Sequence, residues 1–236
     1  MNVISSRQNP RIKALVQLKK GKDPLLLIEG KHLILMAIEA GLVKELFGIT
    51  PFENYDNMTL ITKEVALKLS DKESTDGYFA LISRPQLEIN FRKHLVYLDN
   101  INDPGNLGTI MRTALAFNFG GLLLSPNTVN PYNPKVLSGG QGAHFLLPTK
   151  EYNINQLKDL KTKGYNIIVS TLENATDLKT LPAGKSVIVL GNEARGVSDE
   201  VKDIATHFVK IPIQNIDSLN VAIAGAILMY ELHKND

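Results

Sequence analysis

Three short stretches of the chain gather residue types able to bind an anion or a sugar and act on it. The first runs Asn102-Asp103-Pro104-Gly105-Asn106-Leu107-Gly108-Thr109-Ile110-Met111-Arg112-Thr113-Ala114. Its glycines permit tight turns and close backbone approach to a ligand. The helix start that follows offers unpaired N–H groups to an anion. Arg112, one turn into that helix, could reach back across the loop. No acid lies about 20 residues further on to hold a ribose, so this is not a dinucleotide fingerprint. The Lys-Ser/Thr of a phosphate-binding loop is also missing. The plain alternative is an ordinary turn followed by a surface arginine.

The second stretch is Leu190-Gly191-Asn192-Glu193-Ala194-Arg195-Gly196-Val197. A carboxylate between glycines at a strand end suits ribose hydroxyls or the edge of a nucleobase. The alternative is a solvated turn with an incidental Glu193–Arg195 pair. The third stretch is Ile211-Pro212-Ile213 followed by Asp217-Ser218-Leu219-Asn220-Val221-Ala222. Ser218 is a good helix N-cap. The helix beyond it is dense in small residues (Ala222, Ala224, Gly225, Ala226), so its face should pack closely on another element or subunit. A Ser-His-Asp hydrolase is not supported, because G-x-S-x-G is absent and no histidine is suitably placed.

The elements around these stretches alternate. In the first part, strands are expected at Leu25–Ile28, Val43–Gly48, Met58–Ile61 and Gly77–Ser83. Helices are expected over Pro10–Lys20 (a basic amphipathic one ending at Gly21), Lys31–Ala40 and, capped by Thr62, up to Ser70. Arg84-Pro85-Gln86 reads as a linker. In the second part, strands are expected at His94–Leu98, Leu122–Leu124, Tyr165–Ser170, Val187–Leu190 and Phe208–Ile213. Helices are expected at Thr109–Phe117, Asn155–Lys163, from Ser198 through Ala205, and Ser218–His233, with a long loop at Ser125–Gly142. This is an α/β chain of two domains, residues 1–85 and 93–236, the second with a mostly parallel sheet. In such sheets ligands sit beyond the carboxyl ends of the strands, where all three stretches fall.

Composition narrows the chemistry. The 236 residues include no cysteine, which excludes disulfides, thiolate metal sites and cysteine nucleophiles. The five histidines lack ligand spacing, so no metal is expected. No apolar run reaches the roughly 20 residues needed to span a bilayer. The first residues lack the apolar core of a signal peptide, and a cytoplasmic protein is expected. The net charge of +2 conceals an uneven distribution. Arg7, Arg11, Lys13, Lys19, Lys20 and Lys22 stand in residues 1–22 without an acid. Residues 104–150 hold Arg112, Lys135, His144 and Lys150, again without Asp or Glu. A buried Gly/Pro-rich segment would look similar, but a surface facing a polyanion also excludes carboxylates.

Taken in order, GNLG–I–RTA, LGNE–GV and IP–SLNVA resemble the three motifs of the SpoU (TrmH-like) branch of the SPOUT RNA methyltransferases. The resemblance covers residues 93–236. Residues 1–85 resemble the small ribosomal-protein-L30e-like RNA-binding α/β domain that often precedes this catalytic domain. That part rests on Ser6-Arg7-Gln8-Asn9-Pro10-Arg11-Ile12-Lys13 and on Ile28-Glu29-Gly30. The resemblance implies methylation of a ribose 2′-hydroxyl in RNA with S-adenosylmethionine as donor. It also implies a C-terminal trefoil knot, which no periodicity argument could yield, and a homodimer whose sites draw on both subunits.

By the same resemblance, Arg112 activates the 2′-hydroxyl, and Asn106 positions Arg112 or the substrate. Glu193 holds the second loop or the substrate, while Ser218 and Asn220 shape the reacting centre. The donor is expected against Gly191, Ile211 and Leu219, with Thr171 at the same edge. Arg7, Arg11, Lys13 and Lys135 are the candidate RNA contacts. Three departures from the family pattern stand out. Asn215 replaces a usual Gly, Gly140 falls where Ser-x-Gly is common, and Ile211–Leu219 is one residue short. Ribosomal RNA is the expected substrate, with transfer RNA as the alternative. The competing classes are a non-catalytic RNA-binding or ribosome-assembly protein and a Rossmann-type nucleotide enzyme.

Overall fold

The computed structural model describes residues 3–19, 23–53, 55–71, 73–171 and 175–234. Lys20, Gly21 and Lys22, which close the acid-free N-terminal run, lie outside the described residues. The chain forms two compact units, residues 1–86 with 132–145, and residues 87–131 with 146–236.

The first unit runs β1 (Val3–Ile4), α1 (Pro10–Leu18), β2 (Leu25–Glu29), α2 (Lys31–Glu39), β3 (Val43–Gly48), β4 (Thr59–Ile61), α3 (Lys63–Leu69) and β5 (Tyr78–Ser83). Asn9 starts α1 by accepting the Arg11 N–H, with Pro10 at the first helical position where its missing N–H costs nothing. The strands form one mixed sheet in the order β1-β4-β3-β5-β2. Alternation along the strands builds a core on each face. Phe47, Phe79 and Leu81 meet Ile12 and Leu15 of α1, while Leu46, Ala80 and Ile82 meet Leu33 and Ile34 of α2.

The second unit opens with β6 (Leu95–Asp99), α4 (Pro104–Ala116) and β7 (Leu122–Leu124). The next element, α5 (Pro134–Gly140), belongs to the first unit, as does the rest of 132–145. Sequence patterning keeps this stretch with the second unit and reads it as loop. Instead Asn133 caps a helix, and Leu137 and Phe145 are buried among Leu26, Ile28 and Leu33. The Gly/Pro-rich composition hid the helix, since only Val136 and Leu137 mark its apolar side.

The second unit resumes with β8 (Thr149–Glu151), α6 (Ile154–Thr162), β9 (Asn166–Ser170), β10 (Thr176–Asp177), β11 (Ser186–Gly191), α7 (Asp199–Lys202), β12 (His207–Lys210) and α8 (Val221–Lys234). Its seven strands pair in parallel throughout, in the order β10-β12-β9-β11-β6-β7-β8. The central strands are continuous apolar runs such as Leu95-Val96-Tyr97-Leu98, as expected when helices cover both faces.

Several boundaries differ from expectation, and four of them lie at or near the three stretches. Asp103 caps α4 by accepting the Asn106 N–H at 2.8 Å, so the helix starts at Pro104 and Gly105-Asn106-Leu107-Gly108 lie in its first turns. Asn220, not Ser218, caps α8, because its Oδ1 accepts the N–H groups of Ala222 at 2.9 Å and Ile223 at 3.3 Å. The strand expected to reach Ile213 ends at Lys210, two residues before Pro212, which has no N–H to pair. The helix after Ser198 stops at Lys202, short of Ala205.

Candidate functional site

The carboxyl ends of β9 and β11, the stretch after β12 and the start of α8 enclose a cavity of about 610 Å³. Gly191, Thr171, Ile211 and Leu219 line it, together with Glu193, Ser218 and Asn220. All seven are residues that the family resemblance singled out. A Cβ on Gly191 would stand 2.3 Å from the Val197 backbone nitrogen, so only glycine lets the 191–197 loop fold back over its own strand. At Gly225 an added Cβ would meet Leu190 at 2.6 Å, which explains the small residues of α8: they let it press onto β11.

Glu193 ties the first loop to the second. Its Oε1 accepts from Asn106 Nδ2 at 2.9 Å and from the Asp103 N–H at 3.2 Å, and its Oε2 from the Asn102 N–H at 3.4 Å. Asn106 Oδ1 in turn accepts from Asn220 Nδ2 at 2.9 Å. One chain of hydrogen bonds therefore links all three stretches, with Asn106 at its centre. Burial pushes the Glu193 carboxyl up, but the Asn106 amide and backbone N–H groups of Glu193, Asp103 and Asn102 outweigh it and hold the group below its ordinary range. The incidental Glu193–Arg195 pair is not formed. Arg195 instead takes part in the turn through its N–H, which donates to Asn192 Oδ1 at 3.0 Å.

Arg112 is exposed on α4 and does not line the cavity, and its side chain makes no hydrogen bond or ion pair among the described residues. It lies six positions beyond Asn106, or about 240° around the helix at 100° per residue, and so points away from that side chain. Within one chain the arginine and the cavity are not brought together.

Asn215 has a left-handed φ of +67°. Glycine is the usual residue for that conformation and asparagine the next most tolerant, so the substitution preserves the backbone path.

The geometry can be set beside known proteins. A family model described as the SpoU rRNA methylase family matches residues 93–230. This chain belongs to the SpoU rRNA methylase family. The SpoU chain is 28% identical to the 23S rRNA (guanosine(2553)-2′-O)-methyltransferase RlmP of Bacillus subtilis, covering 98% of this chain and 99% of that protein. It is 31% identical to an uncharacterized tRNA/rRNA methyltransferase of Synechocystis, over 98% of this chain and 93% of the relative. Its fold matches an AdoMet-bound rRNA methyltransferase from Sinorhizobium meliloti with a TM-score of 0.87 at 23% identity, covering 99% and 98% of the two chains.

In this SpoU chain two of the four candidate RNA contacts are already engaged. Arg11 pairs with Glu45, and Arg7 Nε donates to the Glu64 carbonyl at 2.9 Å. Lys13 and Lys135 are exposed, with no ion pair among the described residues. Sequence reasoning missed Asn192, which closes the second loop, and Asp103, which caps α4. Asp103 directly before Pro104 is a helix N-cap signal, and Asn192 directly after Gly191 at the end of β11 is an Asx-turn signal; these could have found the two residues.

Proposed function

We propose that this chain transfers a methyl group from S-adenosylmethionine to the 2′-hydroxyl of a ribose in ribosomal RNA. The observation that carries the reading is the chain of hydrogen bonds joining Glu193, Asn106 and Asn220 beside the cavity, in a member of the SpoU family. A cavity of about 610 Å³ with apolar walls (Leu190, Ile211, Leu219) and polar ends fits a nucleoside-sized donor. No metal-ligating cluster occurs among the described residues.

The donor supplies a sulfonium methyl that is already activated, so alignment is the main task left to the protein. Gly191, Ile211 and Leu219 hold the donor, and Glu193 with Asn106 fixes the two loops at its edge. Ser218 and Asn220 frame the side from which the ribose enters. Arg112, a delocalised cation, acts by stabilising the developing 2′-alkoxide; the methyl passes from sulfur to oxygen, the neutral thioether S-adenosylhomocysteine leaves, and the 2′-hydroxyl proton passes to a substrate phosphate or water.

The reading also includes a homodimer, with Arg112 of one copy completing the cavity of the other. Its support is the separation of Arg112 from the cavity in a single chain, together with Ile223 and Tyr230, apolar residues 51% and 50% exposed and seven positions apart on α8. In the same reading, residues 1–85 act as an L30e-like RNA-gripping domain with Lys13, Arg7 and Arg11 as contacts, and Lys135 is a further RNA contact. The C-terminal chain passes through a trefoil knot in this reading, which rests on membership of the family. A cytoplasmic location follows from the substrate.

The test is transfer of labelled methyl to ribosomal and transfer RNA, followed by mapping of 2′-O-methyl positions in cells with and without the gene. Ribosomal label lost with the gene is the expected result. Label on transfer RNA alone would overturn the substrate, and absence of donor binding with and without RNA would overturn the reaction.

A further inference from the structure

We propose that Asp99 and Asn100, at the carboxyl end of β6, are positioning residues that clamp both ends of the loop on the donor side of the cavity. The proposal rests on the donor reading above. Asp99 is a carboxylate only 3% exposed, and no step of the reaction uses it. Such a group is expensive to bury unless its oxygens are hydrogen-bonded. Its Oδ2 accepts from the Ser198 N–H at 2.7 Å and its Oδ1 from Asn100 Nδ2 at 2.7 Å.

Asn100 follows with a left-handed φ of +58°, a conformation that asparagine adopts more readily than any residue but glycine. Its N–H donates to Ser125 Oγ at 2.8 Å, and its carbonyl accepts from Asn192 Nδ2 at 2.8 Å. The near end of the loop, at Asn192, and the far end, at Ser198, are therefore held by consecutive residues of the neighbouring strand. Register agrees, since Gly191 and Asp99 are partners across β11 and β6. Between the clamps, Asn192 and Gly196 exchange backbone hydrogen bonds at 3.0 and 2.8 Å. The clamped span carries Glu193 and one wall of the cavity, so its placement sets donor affinity.

The test measures S-adenosylmethionine binding by calorimetry and backbone amide exchange over 191–198, both on the full chain. Asp99→Ala leaves the Ser198 N–H without its acceptor. It is expected to weaken donor binding about tenfold or more and to raise the donor KM while kcat changes little. Asp99→Asn keeps an oxygen at the same place and restores most of the affinity. Asn192→Asp keeps the oxygen that accepts the Ala194 and Arg195 N–H groups but removes the Nδ2 donor to the Asn100 carbonyl, so it releases the near clamp and serves where Asp99→Ala fails to fold. Val187→Ala, a buried truncation in β11 away from the loop, controls for lost stability and is expected to keep the parent affinity. Parent-like donor affinity in both clamp variants, or an equal loss in Val187→Ala at matched stability, overturns the proposal. If the parent chain itself binds no donor, the donor reading fails separately. The exchange data then decide the clamp: faster exchange of 192–198 in the variants supports it, and unchanged protection overturns it.

Discussion

Removing the Glu193 carboxylate and the Asn106 amide, separately and together, asks whether the link between the first two loops works as a unit. Glu193→Ala deprives the Asn106 amide and the N–H groups of Asn102 and Asp103 of their acceptor. Asn106→Ala removes one of those three bonds and also the oxygen that receives Asn220 Nδ2. A hydrogen bond to a charged group is worth about 1.5–3 kcal/mol when buried, but this site is open to water and the lower end must be discounted further. A coupling of about 1 kcal/mol is therefore expected, so that the double variant is about fivefold more active than independent effects would allow. The assay is kcat/KM for transfer of labelled methyl, with thermal melts to confirm folding. The Glu193 carboxyl lies below its ordinary value of 4.5 in the folded chain. Its contribution is complete above that value and is lost as pH falls through the lower folded value, so the coupling is expected to be constant between about pH 6 and pH 8. A coupling below about 0.3 kcal/mol would refute the reasoning, since independent sites add to within that margin.

Three further outcomes are expected. Gly191→Ala should cost about 1–3 kcal/mol in a thermal melt and abolish measurable donor binding, because the new methyl would collide with the Val197 nitrogen. Asn215→Gly should change stability by less than about 0.5 kcal/mol, whereas Asn215→Val should cost about 1–2 kcal/mol, because φ is +67° there. Arg112→Ala should lower kcat about a hundredfold or more while calorimetry shows unchanged donor affinity, since the role proposed for it is at the reacting 2′-hydroxyl and not at the donor.

What the sequence revealed about the fold followed from the physics of each element. The parallel sheet was legible because strands such as Val187-Ile188-Val189-Leu190 are apolar without alternation, and that pattern needs cover on both faces. The helix Pro134–Gly140 was not, since three of its seven residues are Ser or Gly and its burial depends on partners distant in sequence. The start of α8 was misplaced because Ser218 and Asn220 are equally good caps by residue type. Only Asn220 presents its oxygen to the Ala222 and Ile223 N–H groups, and this leaves Ser218 outside the helix to line the cavity.

The site divides along the same line. Glu193, Asn106 and Asn220 could be named because the motifs that carry the family resemblance place each at a strand end or helix start, and Glu193 also stood out as a carboxylate between glycines. Asp99 and Asn100 could not, because a strand ending in Asp-Asn looks like any solvated turn until the Ser198 N–H and the Asn192 amide are seen to converge on it. The two groups do different work. The first three are joined by side-chain bonds open to solvent, which single substitutions should weaken by degrees. The clamp depends on a buried carboxylate and a left-handed residue, which tolerate few replacements. On the proposed reading, the rigidity of the donor cavity is set one layer behind the residues that meet the substrate, and loss of Asp99 should act on donor binding while loss of Arg112 acts on turnover.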